Sequence, residues 1–427
     1  LPSVTFQLPL YNEALVAARA IGGAYSLDYP KDRLQIQVLD DSTDETTAIA
    51  GSLVEEYRRQ GFNIELIHRN DRCGYKAGAL AGGFSSAVGD YIAVFDADFI
   101  PCRDFLHKVL PCFEGPKTGF VQTSWTHLNT FGSVVTYLQN ARLESHFLVE
   151  QYPRSVAGLF IGFDGSSGVW RRECIADAGG WQADTLAEDM DLSLRAQLKG
   201  WRGIFVNTPL AEAELPDSVN SFKNQQFRWT KGSVEVLRKH WRKLLSASLP
   251  FNKKADVLVR LASNSAFPLI VLVSLLNMPV YEMLKDSEQY SSLTTIMPVF
   301  FLALISTFLT IIFINEKDLR SVLKKTVLFP AYLAGMIGLT AGNCAGFTEA
   351  VLGVRSPFNR TVKTGGRKVK SPGPAHRRSI GFAELALACY NGYWLFKLIE
   401  FGDFFSAPFQ ALIFIGYLVF AWNSLLK

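Results

Sequence analysis

From position 1 to position 201, short apolar runs alternate with stretches of helical periodicity. The runs fall at 4–8, 34–39, 64–67, 91–95, 119–123 and 203–206. They are brief and rich in Val, Ile, Leu and Phe, which is the pattern of strands. Each of the first four ends in a polar, turn-forming cluster, and helix-like segments separate them. That alternation predicts a mostly parallel sheet with helices on its faces, an α/β domain. Ligands in such sheets gather beyond the carboxyl ends of the strands. Those ends carry Tyr11-Asn12-Glu13, Asp40-Asp41, His68-Arg69 and Asp96-Ala97-Asp98. One sheet edge therefore collects carboxylates and basic groups.

Two longer helical segments, 134–151 and 219–241, mix aromatics, aliphatics and Arg/Lys at helical spacing. Each fits either a core-packing helix or an amphipathic helix lying in a membrane interface. The second leads into the basic run 238–243, which favours the interface there. After Arg260 the pattern changes. Segments 261–284 and 293–314 are apolar over about the twenty residues that span a bilayer. Two more, 382–399 and 404–426, are separated by a short acidic link, and a glycine-rich stretch at 327–353 carries Asn343 and Glu349. Basic residues at 253–254, 317–325 and 355–378 assign those loops to the cytoplasmic side. With positive loops on both of its flanks, 327–353 reads as interfacial or re-entrant, its polar groups buried in protein or facing water. The expected organisation is a cytoplasmic catalytic domain at 1–217, an interfacial helix and linker at 218–260, and a multi-pass membrane domain at 261–427, with a cytoplasmic loop at 355–380.

Composition sharpens this division. The chain has 427 residues, is 48% hydrophobic, and has a mean hydropathy of +0.13, which suits one polar part and one apolar part. A formal net charge of +4 gives no reason to invoke nucleic acid. Six cysteines show neither C-x-x-C spacing nor disulfide density, so a reducing compartment fits and a cysteine metal site does not. No signal peptide stands ahead of the first strand, and an N-terminal membrane helix preceding Leu1 stays an open expectation.

Transfer of a sugar from a nucleoside diphosphate needs neutralisation of the leaving pyrophosphate, by a divalent cation and basic side chains. It also needs a placed carboxylate to take the acceptor proton. Asp96 and Asp98, at a strand end, are spaced to hold Mg²⁺ or Mn²⁺ with diphosphate oxygens, although a lone D-x-D is a weak signal. Asp40-Asp41 adds a second acidic pair; Asp41 also suits a helix N-cap, and the two roles are compatible. Lys76 lies at a helix start, where backbone N–H groups favour phosphate; a solvated lysine is the plain alternative. Glu188-Asp189 opens a helical run, where the macrodipole alone would favour acids. Gln225-Gln226-Phe227-Arg228-Trp229 sets a guanidinium beside a large aromatic, which suits pyrophosphate and a sugar ring, or equally a core Trp with a snorkelling Arg.

In order along the chain, these motifs precede membrane helices. With Pro9-Leu10-Tyr11-Asn12-Glu13, the run 70–79, Phe163-Asp164-Gly165 and Phe358-Asn359-Arg360-Thr361-Val362-Lys363, the chain strongly resembles processive family 2 glycosyltransferases of the cellulose synthase and hyaluronan synthase type. The resemblance covers essentially the whole chain and implies a GT-A nucleotide-sugar domain. It implies Pro9, Tyr11, Glu13, Asp40, Asp41, Lys76, Asp96, Asp98 and Arg228 on the donor, with Asp96 and Asp98 on the metal. Asp189 would be the general base beside Glu188. Trp229, Gln225 and Asp164 would meet the acceptor, and Phe358, Arg360, Thr361 and Lys363 would form a gating loop. Ala187 departs from the family's Thr, and the membrane part is smaller than in cellulose synthase.

The function expected is inverting transfer from a nucleotide sugar, UDP-glucose first, to a β-linked glycan at the membrane, with translocation. The alternatives are a mannan-type synthase using GDP-mannose, a single-transfer enzyme acting on a glycolipid acceptor, and an inactive partner retaining the fold. The lipid bilayer is the expected setting. Accessory subunits are left open.

Overall fold

The structure, a computed structural model, describes residues 1–284, 305–306, 318–356, 363, 365 and 377–426. It divides into two compact units. The first holds residues 1–217, 232–262, 356, 363 and 365; the second holds 218–231, 263–284, 305–306, 318–355 and 377–426.

The first unit is built on an eight-stranded sheet: β1 Val4–Leu10, β2 Leu34–Asp40, β3 Asn63–His68, β4 Tyr91–Val94, β5 Ile100–Pro101, β6 Thr118–His127, β7 Gly168–Arg171 and β8 Arg202–Ala213. Its order is β3-β2-β1-β4-β7-β6-β8-β5. The first four strands pair in parallel, as the pattern predicts. The remainder is mixed: β7 runs antiparallel to β4 and β6, β5 runs antiparallel to β8, and β6 and β8 are parallel. The sheet is therefore mixed, although six of its eight strands run in one direction. β5 and β7 are too short to show a hydrophobic period, and they are the two strands that run against the rest.

Alternate residues of β4 feed opposite faces, as a period of two requires. Ala93 and Phe95 join a core with Phe6, Leu8, Val38 and Phe105, while Ile92 and Val94 join another with Phe120, Trp170 and Leu192. On β1–β3 one face is polar yet buried. Thr5 donates to Gln35, Gln7 to Gln37, and both Gln35 and Gln37 to Glu65, at 2.7–3.0 Å. The helix α3, Tyr75–Ser86, closes over this ladder. A Cβ on Gly83 would fall 2.6 Å from Leu39 and 2.9 Å from Gln7, so only glycine permits that approach.

Helices α1 Ala14–Tyr25, α2 Thr46–Arg59, α4 Phe105–Val109, α5 Val134–Ser145, α6 Tyr152–Val156, α7 Arg172–Asp177 and α8 Glu188–Leu198 complete the domain. A π-helical turn, His146–Gln151, joins α5 to α6, so the predicted helix at 134–151 changes pitch midway. The helix α9, Val219–Ser246, begins in the second unit and ends in the first.

After α10, Phe251–Ala262, come α11 Ala266–Leu284, α12 Leu319–Leu352, α13 Arg377–Glu400 and α14 Ala407–Leu425. Among the described residues, three helices are long and apolar enough to cross a membrane: Phe251–Leu284, Leu319–Leu352 and Ala407–Leu425. The protein is a multi-pass membrane protein with a large N-terminal globular domain. The stretch 327–353, read as interfacial or re-entrant, falls in the continuous 34-residue α12 up to Leu352, with Gly353 as its left-handed cap. The span expected at 293–314 falls outside the described residues apart from 305–306.

Candidate active site

The parallel strand ends deliver their polar residues to one place in the first unit. Lys76 is the second residue of α3, which follows the left-handed Gly74 (φ 73°). Its ammonium stands 2.6 Å from Asp96 Oδ1, donates to the Gly165 carbonyl at 2.7 Å and lies 3.9 Å from Glu188. Burial works against its charge, but Asp96, Glu188 and Asp189 together hold the lysine protonated well above its usual range. It is no solvated surface lysine.

Asp98 is nearly sealed from solvent. Its Oδ2 receives Lys363, and among the described residues its Oδ1 has no hydrogen-bond partner. Burial pushes its proton affinity up against the pull of Lys363. A buried carboxylate oxygen without a partner is costly unless something fills the position. With Asp96 it offers hard oxygen ligands that fit a divalent cation. No group of three or more His, Cys, Asp or Glu arranged for a metal occurs among the described residues; a hard cation also takes phosphate, water and carbonyl oxygens as ligands.

Asp189 stands in the first turn of α8, and its Oδ1 accepts the Met190 N–H at 2.7 Å. It faces Gly165 so closely that a Cβ there would come 2.5 Å from Asp189 Oδ2. Gly165 also needs its φ of +83°, so glycine is required twice over. Burial, then Glu188, raise the Asp189 carboxyl to about 8, with Lys76 opposing. The loop before α8 is clamped from behind. Leu186 N–H donates to Glu235 at 2.8 Å, and Asp191 accepts from His240 at 2.6 Å, Arg195 at 2.7 Å and Lys239 at 2.9 Å. Ala187 lies against Gly232, where a Cβ would meet Ala187 Cβ at 2.7 Å. The small residue in place of threonine matches this tight approach.

At the outer strand ends, Asp40 accepts from Thr47 at 2.6 Å and meets His68 at 2.8 Å. Asp41 does not cap α2: both of its oxygens receive Arg69, at 2.7 and 2.5 Å, and the first turn is served by Asp44 instead. The Arg72 guanidinium stacks 3.4 Å from the Tyr11 ring centre and 5.0 Å from that of Tyr75. Glu13 accepts the Tyr11 N–H at 3.4 Å, and Pro9 is held in β1 opposite Leu39. Asp164 accepts from Gln151 at 3.0 and 3.1 Å.

Asp40, Asp41, Lys76, Asp96, Asp98, Asp164, Glu188, Asp189 and Lys363 all lie in the first unit. Gln225, Arg228 and Trp229 belong to the second, where the Trp229 side chain is exposed. Phe358, Arg360 and Thr361 lie outside the described residues. Sequence reasoning passed over Arg72, His146 and Gln151. Arg72 sat within a quoted motif, but nothing local distinguishes the other two.

A mixed sheet with an acidic pair after its fourth strand, a buried lysine and a carboxylate at a helix start defines a GT-A-like nucleotide-sugar fold. The family model described as "Glycosyltransferase like family 2" matches residues 2–232, more than half the chain. The chain belongs to glycosyltransferase family 2 and has an active-type fold of that family. It is similar to the probable glucomannan 4-β-mannosyltransferase 4 of Oryza sativa subsp. japonica, 40% identical over 302 residues, covering 66% of this chain and 55% of that protein. Glucomannan 4-β-mannosyltransferase 7 of Arabidopsis thaliana is 40% identical over 243 residues, covering 56% and 44%. The chain thus spans about half the length of the curated relatives it matches. Among solved structures, the mannosyltransferase PcManGT from Pyrobaculum calidifontis, in complex with GDP-Man and Mn²⁺, shares the fold with a TM-score of 0.58 at 20% identity, covering 83% of this chain and 88% of that one.

Proposed function

We propose that this protein transfers mannose from GDP-mannose, with inversion, to a β-linked mannan or glucomannan at the membrane. The observation that carries the reading is the assembly of Asp96, Glu188 and Asp189 around Lys76 beside Gly165, with Asp98 next to Asp96, in a chain 40% identical to glucomannan mannosyltransferases. Those relatives favour the mannan alternative over UDP-glucose, the first expectation from sequence. Extension of a polymer, its translocation and a cytoplasmic site belong to the same proposal.

In this reading Asp189 removes the proton from the acceptor hydroxyl, the oxygen attacks C1 of the donor, and the nucleoside diphosphate departs from the opposite face. A base whose proton affinity lies near neutrality is suited to that task. Lys76 would exchange carboxylate partners for diphosphate oxygens. A divalent cation, held by Asp96 and Asp98, would supply charge neutralisation of the leaving diphosphate. Lys363, from the loop expected to gate the site, would yield Asp98 as the donor enters. Tyr11 and the Asp40–Asp41 pair would border the nucleoside, Arg228 would add charge, and Trp229 and Gln225 would meet the acceptor.

The test is radiolabel incorporation by the purified full-length protein in nanodiscs with Mg²⁺ or Mn²⁺, offering GDP-mannose, UDP-glucose and UDP-N-acetylglucosamine in parallel. A β-mannanase-digestible product from GDP-mannose is expected. Incorporation from UDP-glucose alone would overturn the donor assignment, and a short labelled glycolipid would replace polymer extension with single transfer.

A further inference from the structure

Beside the base, a second polar cluster is gathered by the π-helical turn His146–Gln151. Such turns pack less favourably than an α-helix and recur at functional sites. This one brings two side chains to Asp164. Gln151, 1% exposed, donates to both oxygens of that carboxylate and also brackets Gly162, donating to its carbonyl at 3.0 Å and accepting its N–H at 3.2 Å. His146 Nε2 stands 3.4 Å from Asp164 Oδ1, and its Nδ1 lies 3.1 Å from Glu150. Glu150 in turn meets Arg154 at 3.4 Å, and Arg154 pairs with Asp256 at 3.1 Å. From the other side, the Asp164 N–H is fixed by Gln122 at 2.8 Å.

Asp164 immediately precedes Gly165, the residue that receives Lys76 and abuts Asp189. Its side chain keeps 20% of its surface open and that of His146 keeps 31%. A carboxylate so placed, oriented on one side and open on the other, can accept from a sugar hydroxyl neighbouring the one that reacts.

We propose that His146 and Gln151 are positioning residues that hold the Asp164 carboxylate as a grip for an acceptor hydroxyl next to the base. This rests on the glycosyl-transfer reading above. Burial disfavours charge on His146, but Asp164 and Glu150 outweigh it and raise the imidazole to about 9, so it meets Asp164 as a cation at neutral pH. A charged partner fixes a carboxylate more firmly than a neutral amide alone.

The experiment separates acceptor handling from donor handling in the full-length protein, with GDP-mannose as donor. One assay follows hydrolysis of the donor by water; the other follows transfer to a soluble β-1,4-linked mannooligosaccharide. His146→Gln should raise the acceptor KM about tenfold, with donor KM and donor hydrolysis staying within about twofold. Asp164→Asn should raise the acceptor KM at least as far, and the double variant should be no worse than Asp164→Asn, because the two residues act as one unit. If His146→Gln does not fold, the isosteric Asp164→Asn carries the acceptor test alone. An unchanged acceptor KM, strictly additive effects, or hydrolysis falling in step with transfer would each overturn the proposal. A wild-type protein that turns over no nucleotide sugar would overturn the transfer reading itself, an outcome distinct from an active enzyme indifferent to His146.

Discussion

Both units bury charge, and they treat it in opposite ways. In the second unit several buried charged and polar side chains pair with one another between helices. Lys223 bonds to Glu384 and Ser424, and Lys231 meets Glu349 and the Val354 carbonyl, each at 2.7 Å. Thr340 meets Tyr417 at 2.9 Å, and Gln410 donates to the carbonyl and side-chain oxygens of Asn391 at 3.1 and 2.9 Å. In the first unit three carboxylates, Asp96, Glu188 and Asp189, crowd around Lys76, and among the described residues Asp98 keeps an oxygen without a partner. Paired charge in an apolar setting joins helices; the unbalanced charge of the first unit is, in the function proposed above, held ready for a ligand. Substitutions in the two regions should therefore fail differently, one in stability and the other in turnover.

The largest effect expected is on the base. Asp189→Asn should lower transfer about a thousandfold or more, while GDP-mannose binding, followed by calorimetry, is largely retained. Substantial residual turnover would remove Asp189 from that role. The contrasting substitution is Lys223→Met, which leaves Glu384 buried without its cation. It should cost about 3–5 kcal/mol, read as a lowered unfolding midpoint in detergent. Lys223→Met combined with Glu384→Leu should recover most of that loss. If the single variant were as stable as the parent but inactive, the pair would belong to function, and the contrast between the units would collapse.

The contrast also marks how far the sequence could be read. The four parallel strands and their polar ends were legible because each apolar run stops at a turn cluster, and strand order brings those ends together. Asp96, Asp98, Lys76 and Asp189 could be named because their motifs are local. The mixed half of the sheet was not legible, since four residues at Gly168–Arg171 and two at Ile100–Pro101 carry no measurable period. The alternation of Thr5 and Gln7 with apolar residues suggests a wet face, yet α3 seals it over Thr5 donating to Gln35 and Gln7 donating to Gln37, each 30 residues away in sequence. The π-helical turn at His146 was invisible for a related reason. Its value comes from Asp164, 18 residues away, and a change of helical pitch leaves no signature in composition.

A smaller effect should come from moving the base without removing it. Gly165→Ala would set a methyl 2.5 Å from Asp189 Oδ2 and force a side chain into a φ of +83°. A displacement of that order should cost about a hundredfold in kcat, and thermal stability should fall only modestly. Loss of stability as large as for Lys223→Met would instead make Gly165 a folding residue.

The smallest effect expected is a displacement of the pH profile, and it tests the electrostatic reading most directly. The base must be deprotonated to act, so kcat/KM should fall as pH drops through its pKa. Burial and Glu188 raise that pKa to about 8, so the acid limb should lie well above the range of an ordinary carboxylate. Glu188→Gln removes the like charge and should move the limb to lower pH, leaving the plateau rate little changed. The opposite displacement would mean that Glu188 enters mainly through its link to Lys76: weakening Lys76's hold near the base would withdraw positive charge and raise the Asp189 pKa further. An unmoved limb would assign the titration to a group other than Asp189, and the crowding of carboxylates around Lys76 would then concern donor binding alone.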